Sequence, residues 1–161
     1  MEFYYIFSYL GVILGLCFLA DFAYHKERKM SFSDLKAHTG WTASEVEELK
    51  RICFNKCEEN NGHLFYRGID TGKYSQTSFK LKNTHFHVNK AQLSLFLKLI
   101  DSGFDMNEWD ERLQTSHLCH KKACLKAEHL SLETSEQNRE RDECKRQNRC
   151  AGHKDLPNCL L

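Results

Sequence analysis

A chain of 161 residues with 41% hydrophobic and 28% charged side chains has the make-up of one ordinary globular unit. Its single proline and eight glycines exclude collagen-like or low-complexity architecture, and no internal repeat is present. The net charge of +1 conceals a local excess: between Arg67 and Lys98 stand Arg67, Lys73, Lys80, Lys82, Lys90 and Lys98 against Asp70 alone, a balance that suits a phosphate backbone.

In chain order, residues 3–20 form an apolar run without a charge, followed by Lys26, Arg28 and Lys29. Residues 1–29 are therefore a leader: a signal anchor by the charge bias, with a cleaved signal peptide or a true start at Met30 as the other readings. Membrane anchoring through 3–20 belongs to the first reading, secretion to the second and an intracellular, nuclear protein to the third. Residues 30–161 read as one domain. Ser31 to Gly40 opens with a short helix, and Thr42 or Ser44 caps a second helix reaching about Cys57 and stopped by Asn60-Asn61-Gly62. Leu64 to Tyr66, Ser75 to Leu81 and His85 to Val88 alternate as strands, and Ala91 to Ile100 is a mostly buried helix. Arg112 to Leu118 is a candidate strand, and Thr134-Ser-Glu-Gln137 is a capping box that opens a polar helix to about Arg146. The fold class is α+β, a small antiparallel sheet with helices, held by something other than a large core.

The cysteines say what that something is. Of eight, five crowd into the last 43 residues as Cys119, Cys124, Cys144, Cys150 and Cys159, beside His117, His120, His129 and His153. Cysteine interleaved with histidine points to metal, with a disulfide-bonded secreted protein as the rival reading. Cys119, Cys124 and His129 are spaced to wrap one tetrahedral zinc, which needs a fourth ligand from elsewhere. Cys57 is the choice, and Cys53 the second. Cys144, Cys150, His153 and Cys159 make a complete second set. Two structural Zn²⁺ ions would give a small module its folding free energy.

Ser116-His-Leu-Cys-His120, Cys124, His129-Leu130 and Asn138, with the distal Cys/His group after them, resemble the His-Cys box homing endonucleases, a branch of the His-Me finger or ββα-metal nucleases. The likeness is close from Thr115 to about Cys159 and looser over Gly62 to Lys98. It implies a zinc-stapled ββα finger at about 112–161, with His117 as general base and Asn138 as the oxygen ligand of one catalytic Mg²⁺. It also implies a DNA endonuclease whose central sheet lies on its substrate, with Ser75, Thr77, Lys80, Lys82, His85 and His87 as candidate contacts.

Three departures from the family pattern stand out. Lys126-Ala127 replaces an Asn-Pro pair, and Phe65 stands where the first zinc cysteine is usual. The arginine that contacts the scissile phosphate has only Lys80 or Lys82 nearby; Lys82 takes that role in this reading. The chain carries two residues past Cys159, short of the arm with which a family member clasps its partner, so a homodimer stays open. A non-catalytic zinc module that binds DNA or protein is the alternative function.

Overall fold

The computed structural model describes residues 32–37, 40–70, 72–81, 83–110 and 112–161. The leader at 1–29, with the membrane reading of residues 3–20, lies outside the described residues, as do Ser31 and Lys82. Among the described residues no helix is long and apolar enough to cross a membrane.

The fold is α+β, as the hydrophobic periodicity predicts. Among the described residues four helices, α1 (Phe32–Ala37), α2 (Ala43–Phe54), α3 (Lys90–Asp101) and α4 (Ser135–Gln147), accompany three antiparallel hairpins, two of them between α2 and α3 and one between α3 and α4. These pair β1 (Cys57–Asn60) with β2 (His63–Tyr66), β3 (Gln76–Leu81) with β4 (Thr84–Asn89), and β5 (Leu113–His117) with β6 (Leu130–Thr134). The single sheet expected is thus three separate two-stranded ones.

Local chemistry explains most boundaries. Thr42 caps α2 in a capping box with Glu45, and Thr134 does the same for α4 with Gln137. Asn89 ends β4 and caps α3 through the Ala91 amide. Helix α2 stops at Phe54 rather than near Cys57, because Lys56 turns the backbone to φ 59° and Cys57 begins a strand. The Asn61-Gly62 pair is therefore not a helix stop. Both residues adopt positive φ, 50° and 73°, and join Asn60 to His63 as a two-residue hairpin turn.

Helix α3 is the hub, burying Ala91, Leu93, Leu95, Phe96 and Leu97. Leu35 of α1, Val46, Leu49 and Cys53 of α2, Phe79 of β3 and Phe86 and Val88 of β4 complete the core with Trp109, Leu125 and Leu130. Each fully buried leucine contributes roughly 1.5–3 kcal/mol relative to exposure. Apart from Trp109, Leu125 and Leu130, the core belongs to the first two thirds of the chain. The finger β5–β6–α4 rests on it through few apolar contacts, Leu125 and Leu130 chief among them, and Ser94 Oγ fixes the loop by donating to the Leu125 carbonyl at 2.6 Å.

Candidate metal centres and active site

The loop between β5 and β6 collects the proximal ligand group. Cys119 and Cys124 are buried, His129 is half-buried, and the ring nitrogen of His63 joins them, with all four donor atoms within 4.8 Å of one another. Cys124 Sγ lies 3.6 Å from His129 Nδ1, which lies 3.2 Å from His63 Nδ1. Tetrahedral zinc with bonds of about 2.0–2.3 Å puts neighbouring ligands roughly 3.3–3.8 Å apart, so the donor set fits the ion. A hydrogen bond from Cys119, against the opposing effect of burial and with further donors from the Lys126 amide and His63, draws the Cys124 thiol well below the usual cysteine range.

Cys57 is corrected as the fourth ligand: His63 stands where it was expected. The hairpin register explains this. Asn60 pairs with His63 next to the turn, whereas Cys57 pairs with Tyr66 at the other end, roughly 10 Å away at about 3.4 Å per residue. Cys57 Sγ instead faces the carbonyls of Cys53 and Asn55, and the buried Cys53 thiol faces the Lys90 carbonyl. The turn end of the hairpin is tied to the finger loop by a bridge between Phe65 and Cys124, by the Leu125 amide on the Leu64 carbonyl at 2.7 Å, and by Lys126 Nζ on the Gly62 carbonyl and the Glu59 carboxylate. His63 was legible as a donor after an Asn-Gly turn. Reading that turn as a helix stop hid it.

The distal group is the one read from the sequence. Cys144, Cys150, His153 and Cys159 bring their donor atoms within 4.8 Å of one another. His153 Nε2 lies 3.6 Å from Cys144 Sγ and 3.3 Å from Cys159 Sγ, while its Nδ1 faces a Glu140 carboxylate oxygen at 3.8 Å. A carboxylate behind a ligating imidazole is the arrangement that orients a metal-bound histidine. The αL residue Asn148 ends α4 and turns the tail back toward Cys144.

Beside both groups opens a cavity of about 300 Å³ lined by Tyr74, Thr115, Ser116, His117, His120, Lys122, Asn138, Asp142 and Lys145. His117, last residue of β5, and Asn138, on the first turn of α4, share this cavity. His117 Nε2 lies 3.1 Å from the Cys124 carbonyl. A carbonyl only accepts, so Nε2 carries the proton and Nδ1 keeps its lone pair. Burial lowers the pKa of this imidazole, against the opposing pull of the Cys124 carbonyl, and keeps the ring neutral near pH 7. Asn138 Oδ1 accepts from Ser116 Oγ at 2.8 Å. Behind them Glu133 and Arg141, 0% and 1% exposed, form a bidentate ion pair. His120 stands in the left-handed region, φ 54°, at the turn of the loop.

Among the described residues no arginine lines the cavity. Its cations are Lys122 and Lys145, both missed in the sequence because nothing in their spacing marks them. Tyr74 was missed as well; its ring stands 6.0 Å from that of His117 and beneath Lys122 Nζ. Lys80 is not part of the lining. It lies on β3 across from His85, on an outward face with Gln76, Ser78 and His87, where His87 bonds Ser78 and Gln76 at 2.8 Å each. Ser75 is buried and Thr77 half-buried, so those two are withdrawn as outward contacts.

A hairpin and helix stapled by two Cys/His groups define a zinc-binding ββα finger. Over residues 39–159 the chain matches the zinc-binding loop region of homing endonuclease, and it belongs to that family. Neither the curated proteins nor the solved structures gave a match.

Proposed function

We propose that this chain is a metal-dependent endonuclease that hydrolyses DNA phosphodiester bonds. The observation that carries the reading is His117, held in the basic tautomer by the Cys124 carbonyl inside the cavity that Asn138 also lines. With Nε2–H engaged, Nδ1 is the atom that takes a proton from water as the water oxygen attacks phosphorus and the 3′-oxygen leaves. Asn138 is the oxygen donor suited to hold a Mg²⁺ ion, which when bound would supply Lewis-acid stabilisation of the phosphorane and the leaving oxygen. Lys122 and Lys145 bring positive charge to the substrate phosphate in place of a guanidinium fork.

Zinc occupies a structural role in this reading, one ion in each Cys/His group. Four protein ligands leave no open position for a reacting water. Held there, the proximal ion fixes the loop whose Cys124 carbonyl orients His117.

A cavity lining with lysine and no arginine among the described residues favours a second reading, a zinc module that binds nucleic acid or protein without cutting. Supercoiled plasmid incubated with the zinc-loaded protein separates the two. Nicked and linear product that forms with Mg²⁺ and stops with EDTA supports the nuclease; DNA retention on a gel with no product under Mg²⁺ or Mn²⁺ supports the binding module.

A further inference from the structure

Asn138 is an unusual choice for holding a cation, because a carboxamide has one useful face. Its oxygen accepts and its nitrogen only donates, so turning the group over replaces a ligand with two N–H bonds. A residue in that position needs something to decide which way it faces, and three buried side chains behind it are arranged to do so.

Ser116, 1% exposed, donates to the Asn138 carboxamide oxygen at 2.8 Å, and its hydroxyl stands near enough to the buried Glu133 carboxylate to help stabilise that anion. A hydroxyl has one proton to give and lone pairs with which to accept, whereas a carboxylate can only accept. Ser116 therefore chooses between two recipients. If it donates to Asn138 Oδ1, that oxygen is occupied and Glu133 loses a donor. If it donates to Glu133, its own oxygen is left to accept, and the only donor Asn138 can offer is Nδ2–H.

Glu133 is held as an anion. Burial would raise its pKa, but the Arg141 hydrogen bonds and charge, with the Ser131 and Ser116 hydroxyls, outweigh that and leave the net shift downward. Arg141 in turn reaches Cys159 Sγ at 3.5 Å, so the same ion pair abuts the distal ligand group.

We propose that Glu133 and Ser116 act as a positioning relay that turns the Asn138 carboxamide when a divalent cation binds. The Ser116 hydroxyl donates to Glu133, Asn138 Nδ2–H donates to Ser116 Oγ, and Oδ1 faces the cavity. This rests on the nuclease reading, since it concerns the same cation.

Comparison of Asn138 with aspartate tests the relay. A carboxylate presents an oxygen whichever way it turns, so Asn138→Asp needs no orienting partner. Mn²⁺ binding, measured by electron paramagnetic resonance on the zinc-loaded protein without DNA, and the Mg²⁺ dependence of plasmid cleavage give two readouts. Ser116→Ala should weaken Mn²⁺ binding ~10-fold beside Asn138, the loss typical of an outer-shell partner. In the Asn138→Asp background the same change should cost less than about threefold, because the orienting function is gone. Saturating Mg²⁺ should restore cleavage by Ser116→Ala, with melting temperature and zinc content unchanged. Ser116→Cys, which keeps the volume but has only a weak donor, carries the same comparison if the alanine variant does not fold. An equal loss in both backgrounds, or none, overturns the relay while a cleaving wild type leaves the nuclease intact. A wild type that neither binds Mn²⁺ nor cuts removes both.

Discussion

In the proposed nuclease His117 can serve as the base through Nδ1 only in the tautomer with its proton on Nε2, and the backbone carbonyl of Cys124 favours that tautomer. That carbonyl belongs to a residue of the proximal Cys/His group, which is why His117, itself outside the group, depends on it. His117→Ala should lower cleavage by ~10²–10⁴ and leave zinc content and DNA affinity intact. Release of zinc by this variant would make His117 a ligand instead. The imidazole must be neutral to act, so activity is present above its pKa and lost as pH falls through it. Because burial sets that pKa below the ordinary histidine value, the acid limb of kcat/KM should fall below about pH 6.5. A limb above that value would identify a different base.

At the scale of elements, the β1–β2 hairpin changes how the module is stapled. It brings His63 to the finger loop and leaves Cys57 at its far end, so the proximal group has two cysteines and two histidines. His63→Ala should cost one of two zinc ions per chain by elemental analysis and lower the melting temperature, because structural zinc binding and folding are linked. Cys57→Ser should keep both ions. The reverse pattern would restore Cys57 as the ligand. Helix α4 carries several duties in thirteen residues: a capping box at its start, Asn138 toward the cavity, Arg141 on Glu133, and Cys144 on the distal group. Its surface is polar nearly throughout and its only fully buried side chain is an arginine. What holds it is a paired charge and a ligand group rather than an apolar stripe.

For the molecule as a whole, the apolar core lies in α1–α3 and the β3–β4 hairpin, and the proposed chemistry lies in a finger with little core of its own. The outward face of the hairpin presents Gln76, Ser78, Lys80 and His87, polar side chains set on alternating positions as a groove-reading ribbon would need. Lys80→Glu should weaken binding across DNA sequences and flatten the dependence of log K on log salt by about 0.9 for each lost phosphate contact. Unchanged affinity and slope would move the nucleic-acid platform off this face.

Much of this arrangement is local and therefore written in the chain. The two capping boxes, the Asn89 cap, the period of α3 and the alternation in β3 and β4 are decided by neighbours within a few residues. The distal ligand group is equally legible, because all four donors fall within sixteen positions at the end of one helix. The resemblance to the His-Cys box motif brought His117 and Asn138 forward as a pair. What the sequence could not decide depends on contacts between distant segments. His63 displaces Cys57 because strand pairing, and not proximity in sequence, determines which end of a hairpin meets the loop some sixty residues later. Lys122, Lys145 and Tyr74 gather around His117 only once the loop is folded. Glu133 and Arg141 look like ordinary surface charges in the sequence, and it is the closure of β6 against α4 that takes them out of water and makes each the other's charge partner.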